Sequence, residues 1–120
     1  MKIQLNSVTL QGRLGAHPEI KTFENGKSVS RVSLAVEDNY KDSEGNWVNN
    51  THWFRLVFWN KTIEVLQDLM KGDKIIVTGK FTTDSYVDKD EKTVNIVEIV
   101  VNGVGLVEKA KPKNTEEEEK

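Results

Sequence analysis

Apolar and polar positions alternate along most of this chain, with a single interruption. Val8, Leu10, Gly12 and Leu14 alternate with Thr9, Gln11 and Arg13, the period-two pattern of a strand with one buried face. Gly15-Ala16-His17-Pro18-Glu19 breaks it, and Ile20 to Phe23 reads as a short extension closed by the turn pair Asn25-Gly26. Val32, Leu34 and Val36, with Arg31, Ser33 and Ala35 opposite, mark a second strand. A polar hairpin loop from Asp38 to Asn50, centred on Glu44-Gly45-Asn46, leads into a third, Thr51 to Trp59. The period then changes: Ile63, Leu66 and Leu69 or Met70 recur at helical spacing, with Thr62 as a cap and Gly72 as a stop. Lys74 to Thr83 returns to alternation and puts Ile75, Val77, Gly79 and Phe81 on one side. A second polar loop spans Tyr86 to Glu91, and Thr93 to Val101 is the last strand.

Three strands, one short helix and two strands is the order of the oligonucleotide- and oligosaccharide-binding (OB) fold. The predicted class is therefore all-β: a five-stranded Greek-key OB-fold barrel with one short helix between strands 3 and 4, plus a disordered C-terminal tail. Residues 1–107 are assigned to the barrel domain and residues 108–120 to a short charged, acidic tail. Such barrels bind ligands on the face of their second and third strands and between two loops.

The third strand carries the unusual chemistry. Alternation sends His52, Phe54, Leu56 and Phe58 to one face and Trp53, Arg55, Val57 and Trp59 to the other. The first set reads as core, with His52 a packed or interface histidine. The second aligns two indoles and a guanidinium on one surface, a costly arrangement to leave wet without a ligand. Flat rings beside a cation suit stacked nucleic-acid bases and their phosphates. Burial in the core or a subunit interface is the competing reading for both indoles, and Arg55 between them favours the surface. Arg55 has its own rival role, pairing with a cross-strand carboxylate such as Glu98.

Charge qualifies this picture. The formal net charge is −2, not the basic footprint of most nucleic-acid binders. The segment from Glu108 onward holds five Glu and four Lys, a net of −1, so the body is also slightly acidic. Attraction to phosphate must then come from where Lys and Arg sit, and stacking carries more of the weight. Cysteine is absent, and two histidines, His17 and His52, do not make a zinc site. His17, in a Gly/Pro turn, reads as structural or idle. No Gly-rich phosphate loop, metal constellation or activated nucleophile is legible, so neither an enzyme nor a cofactor is expected. Asp84, Asp88, Asp90 and Glu91 read as a flexible polar loop. The polar start and the lack of any membrane-length apolar stretch give the expectation of a cytoplasmic, nucleoid-associated protein.

The segments Asn6-Ser7-Val8-Thr9-Leu10-Gln11-Gly12-Arg13-Leu14-Gly15, Pro18-Glu19, Asn25-Gly26, Thr51-His52-Trp53-Phe54-Arg55-Leu56-Val57-Phe58, Lys71-Gly72-Asp73 and Thr78-Gly79-Lys80 occur here in this order. In order and spacing the chain resembles the bacterial single-stranded DNA-binding protein (SSB) family from about Lys2 to Val101. The resemblance implies sequence-tolerant binding of single-stranded DNA during replication, recombination and repair. It implies stacking by Tyr40, Trp53, Trp59 and Tyr86, where Tyr40 and Tyr86 replace a common Trp and Trp59 a common Phe. Trp47 is an added stacking candidate outside the family pattern. Phosphate contacts are implied for Arg13, Arg55, Lys61 and Lys80, with Arg31 next. Asp84 departs from a stretch that is basic in relatives. A homotetramer is also implied. Relatives end in a long linker and an acidic tip closing on Pro-Phe that docks replication and repair enzymes. Here Lys109 to Lys113 runs straight into Glu116-Glu117-Glu118-Glu119-Lys120, so weaker or different partner recruitment is expected. Two other readings stay open: a dimeric OB-fold replication-restart or protein-interaction module, and an RNA-preferring barrel.

Overall fold

The computed structural model describes residues 5–110. Its strands are β1 (Val8–Leu14), β2 (Ile20–Thr22), β3 (Ser28–Glu37), β4 (Tyr40–Lys41), β5 (Trp47–Val48), β6 (Thr51–Trp59), β7 (Lys74–Val87) and β8 (Thr93–Glu108). A 3-10 turn, Asn60–Thr62, and a four-residue helix α1, Ile63–Leu66, separate β6 from β7. Five long strands hydrogen-bond in the order β1-β7-β8-β6-β3. Arg13 and Leu14 then pair with Ala35 and Leu34, which returns the circuit from β3 to β1. The pair β6–β8 is parallel, Leu56 opposite Ile99 and Val57 opposite Val100, and the other ladders of the circuit are antiparallel. This is the all-β OB-fold arrangement, with the helix between the third and fourth long strands.

Closing so few strands demands tight coiling, and two glycines permit it. A Cβ on Gly12 would collide with the carbonyl oxygen of Ala35, and one on Gly79 with that of Val100. Gly79 also sits at a register shift between β7 and β8. The enclosed core takes the inward residues of each strand, among them Leu34, Leu56, Phe58, Ile75 and Ile99, all but inaccessible to solvent. Ile63 and Leu66 of α1, with Leu69 beyond it, join the same cluster. Met70, the other residue considered for that helical face, is exposed.

Two strands outrun the sequence pattern. β7 continues through Tyr86 to Val87, so Tyr86 lies in a strand and not in the loop expected from Tyr86 to Glu91. β8 continues past Val101 to Glu108, where it pairs with Lys74. Lys109 and Ala110 then engage Asp73, whose side chain is fully buried. The fold therefore extends past the boundary expected at residue 107. The rest of the expected acidic tail, residues 111–120, lies outside the described residues. Among the described residues no helix is long and apolar enough to cross a membrane.

Candidate nucleic-acid interface

The registers place the outward residues of β6 on a lattice. Along one row, Arg31 of β3 pairs with Val57 of β6, Val57 with Val100 of β8, and Val100 with Lys80 of β7. The next row holds Ser33 opposite Arg55, and on the far side Thr82 opposite Glu98. One step further, Ala35 pairs with Trp53, and Arg13 of β1 pairs with Ala35. Residues two apart on a strand share a face, so Lys80, Thr82, Asp84 and Tyr86 follow one another along the same side of β7.

Beyond the level of Trp53 the barrel gives way to two ribbons. One is the hairpin between β3 and β6, in which Tyr40 pairs with Val48 and Lys41 with Trp47. Asp42 orders its tip by accepting the Glu44 and Asn46 amides on Oδ1, both at 2.9 Å, and Gly45 takes the positive φ of 83° that the turn needs. The other is the continuation of the β7–β8 ladder, Thr82–Val87 against Thr93–Glu98. Between the second ribbon and β6 runs a groove of about 580 Å³ lined by Trp53, Arg55, Tyr86, Val94, Ile96 and Ser33. It is an open trough of mixed polar and apolar lining, with two aromatic rings and a cation.

Trp53 is 63% exposed, and its indole lies where Gly15 provides room, since a Cβ there would approach the ring at 2.7 Å. Trp59 is 37% exposed and does not line the groove. The two indoles are six positions apart, about 20 Å along a strand. Val57 between them is only 1% exposed. The outward row expected from alternation is thus not one continuous platform: the structure joins Trp53 to Tyr86 across strands and leaves Trp59 apart. The chain leaves Trp59 through Asn60, whose φ of 44° turns it sharply while its side chain accepts the Ser28 amide. Thr62, expected to cap α1, instead uses its hydroxyl on the Trp59 backbone, accepting its N–H and donating to its carbonyl.

Tyr40 and Trp47 are exposed on the hairpin ribbon, and Lys41 Nζ stands 5.4 Å from the Trp47 ring centroid, a cation–π contact. His52, expected to pack, is instead exposed and lies 3.1 Å from Asp38 Oδ2 at the base of this ribbon. The reason is position: His52 pairs with Val36 at the end of the β3–β6 ladder, where the enclosed core has already ended. His17 is structural, its Nδ1 accepting the Lys71 amide at 3.3 Å.

The five candidate phosphate contacts separate into two groups. Arg31 Nε and Arg55 Nη1 both address Glu98 Oε2, at 3.0 and 3.6 Å. Arg13 is held by Glu108 at 2.9 Å and donates to the Gly72 carbonyl, away from the groove. Lys61, in the 3-10 turn, and Lys80, on the lattice, are in none of the ion pairs among the described residues. The cross-strand role weighed for Arg55 is therefore present, and Arg31 shares it. Sequence reasoning gave Glu98 no part of its own in the binding surface, although period two places it on the outward face. Val94 and Ile96, also unanticipated, line the groove. Among the described residues no cluster of His, Cys, Asp and Glu is arranged to hold a metal ion.

Comparison with known proteins gives the family and the fold. Residues 5–107 match the single-strand binding protein family. A single-stranded DNA-binding protein of Xanthomonas campestris is 37% identical over 104 residues, covering 86% of this chain and 60% of its own length. One from Malacoplasma penetrans is 36% identical over 83% of this chain and 50% of its own. The chain thus spans little more than half the length of these curated relatives. A Plasmodium falciparum SSB solved in complex with ssDNA superposes with a TM-score of 0.79 at 26% identity, covering 90% of this chain and 99% of that one. A deletion mutant of the Thermus aquaticus single-stranded DNA binding protein superposes with a TM-score of 0.75, also at 26% identity, covering 87% of this chain and 51% of that one.

Proposed function

The chain belongs to the single-strand binding protein family, and from that premise we propose that it binds single-stranded DNA with little regard to sequence and protects it during replication, recombination and repair. The observation that carries this reading is the trough that brings Trp53 and Tyr86 together with Arg55 beside them. Bases unstacked from one another can rest on the two rings, and each stack is worth about 1–3 kcal/mol by alanine substitution. Every base presents a π-face, so such binding tolerates any sequence. Trp59, Tyr40 and Trp47 serve as further platforms beyond the trough. Arg31, Arg55, Lys61 and Lys80 supply the phosphate contacts, with Arg13 as an outlying one. The role is one of binding and needs no cofactor. The same reading includes a homotetramer acting in the cytoplasm at the nucleoid.

The direct test is titration of intrinsic tryptophan fluorescence with oligo-dT at two salt concentrations. Quenching that saturates and weakens moderately with salt is expected. Failure of oligo-dT to quench or bind at low salt would remove the proposal.

A further inference from the structure

Glu98 stands where a strand's phosphates would approach, and two arginines pair with it. Its side chain is 13% exposed, while those of Arg31 and Arg55 are each 52% exposed. A single oxygen, Oε2, is 3.0 Å from Arg31 Nε and 3.6 Å from Arg55 Nη1. Val57, Val100, Ser33 and Thr82 around it on this lattice are uncharged, and Lys80 and Asp84 stand one step to either side of Thr82 along β7, in none of the ion pairs with Glu98. Two guanidinium charges thus share one carboxylate, and the trio carries a net charge of one, not two.

We propose that Glu98 is a built-in counter-ion that sets how strongly this surface depends on phosphate charge. The inference rests on the DNA-binding reading of the trough and goes beyond it, because it assigns the role to an acidic residue. A carboxylate fixed between the arginines does two things. It holds both guanidinium planes on the lattice beside Trp53, and it occupies part of the charge that an incoming phosphate would otherwise neutralise. Binding then releases fewer counterions than the number of arginines implies, and base stacking contributes the larger share. Glu98 acts through Arg31 and Arg55, so it is a positioning residue and does not itself contact DNA.

The test counts charge. Glu98→Gln keeps the side-chain shape and still offers an oxygen to Arg31 Nε, but it frees one positive charge. Its log–log salt slope with poly-dT should steepen by about 0.7, which is roughly eightfold tighter binding at ~50 mM salt if affinities converge near ~1 M. Arg31→Gln should make the slope shallower by about the same 0.7, and the double variant should return to the parental slope. If Glu98→Gln does not fold, an Arg31→Gln slope equal to the parent's still overturns the proposal. Slopes unchanged in both single variants, or a shallower slope in Glu98→Gln, overturn the proposal. Trp53→Ala is measured in parallel. If it weakens binding while the slopes stay fixed, the counter-ion role fails and the groove survives. If it binds like the parent, the reading of the groove fails and takes the counter-ion role with it.

Discussion

Lys109 reaches back to Asp73 and places its Nζ 2.8 Å from a carboxylate oxygen that is wholly buried. The same carboxylate accepts the Ala110 amide at 2.8 Å and the Met70 amide at 3.0 Å, while Lys109 Nζ also donates to the Asp68 carbonyl. One side chain therefore ties the segment after α1 to the end of β8. Removing the carboxylate leaves the Met70 and Ala110 amides without their acceptor, at a cost of about 1–3 kcal/mol, while Lys109, already half exposed, can turn to water. Asp73→Ala should lose stability on that scale in denaturant unfolding. Lys109→Met should lose less, because the two amides still serve the carboxylate. Equal and negligible losses would show that the tie is unimportant.

The same site predicts acid sensitivity. Burial pushes the Asp73 carboxyl up, but the Lys109 hydrogen bond, the Ala110 and Met70 amides and the Lys109 charge together outweigh it and hold the group below the ordinary carboxylate range. A depressed value in the folded state means that Asp73 adds stability above the unfolded value of about 3.9. That contribution is lost as pH falls through the lower, folded value. Melting temperature between pH 5 and pH 2 should drop less steeply in Asp73→Asn than in the parent. Parallel curves would count against this assignment.

Trp53 and Tyr86 line one groove and Trp59 does not. For oligo-dT long enough to cover all three, Trp53→Ala and Tyr86→Ala should each weaken binding by about 1–3 kcal/mol. Their double variant should depart from additivity by at least about 0.5 kcal/mol, while Trp53→Ala with Trp59→Ala should be additive within about 0.3–0.5 kcal/mol. Since Trp53 is exposed, its removal should leave the melting temperature nearly unchanged. A coupled Trp53–Trp59 pair and an additive Trp53–Tyr86 pair would reverse this partition.

Gly12 and Gly79 sit against backbone carbonyls, which cannot swing aside as a side chain can. Gly12→Ala or Gly79→Ala should destabilise by about 1–3 kcal/mol or more through overpacking, with the barrel ladders spread at that point. Gly15→Ala meets the Trp53 ring instead, at 2.7 Å. It should spare folding and displace the indole, seen as a shift in tryptophan emission and weaker oligo-dT binding. A Gly12→Ala protein as stable as the parent would refute the close-approach argument.

The barrel was legible because its strands bury one face and so write period two into the chain. β1 and β6 have the bounds that alternation predicts. What failed did so for local reasons. Asn102-Gly103-Val104-Gly105 interrupts the apolar alternation, yet Gly103 and Gly105 pair with Thr78 and Ile76, so β8 runs on where the pattern stops. Alternation alone puts Val57 with the exposed residues, but strands β3 and β8 flank it through Arg31 and Val100, which belong to other segments, and it is buried. His52 and Phe81 kept their predicted parity but lie where the interior opens, and both are exposed. Trp53 could be singled out from its own strand. Its partnership with Tyr86, and the grip of Glu98 on two arginines, depend on strand order and register.

The β7–β8 ribbon has a consequence of its own. One side of the trough is β6, paired with β3 along its whole length and with β8 at Leu56 and Val57, and the other is a two-stranded arm held chiefly by its own ladder. A pair of strands alone is marginally stable at best in water. On the proposed reading one wall of the trough is firm and the other yields, so rings of unequal width, purine or pyrimidine, would fit between them without disturbing the interior.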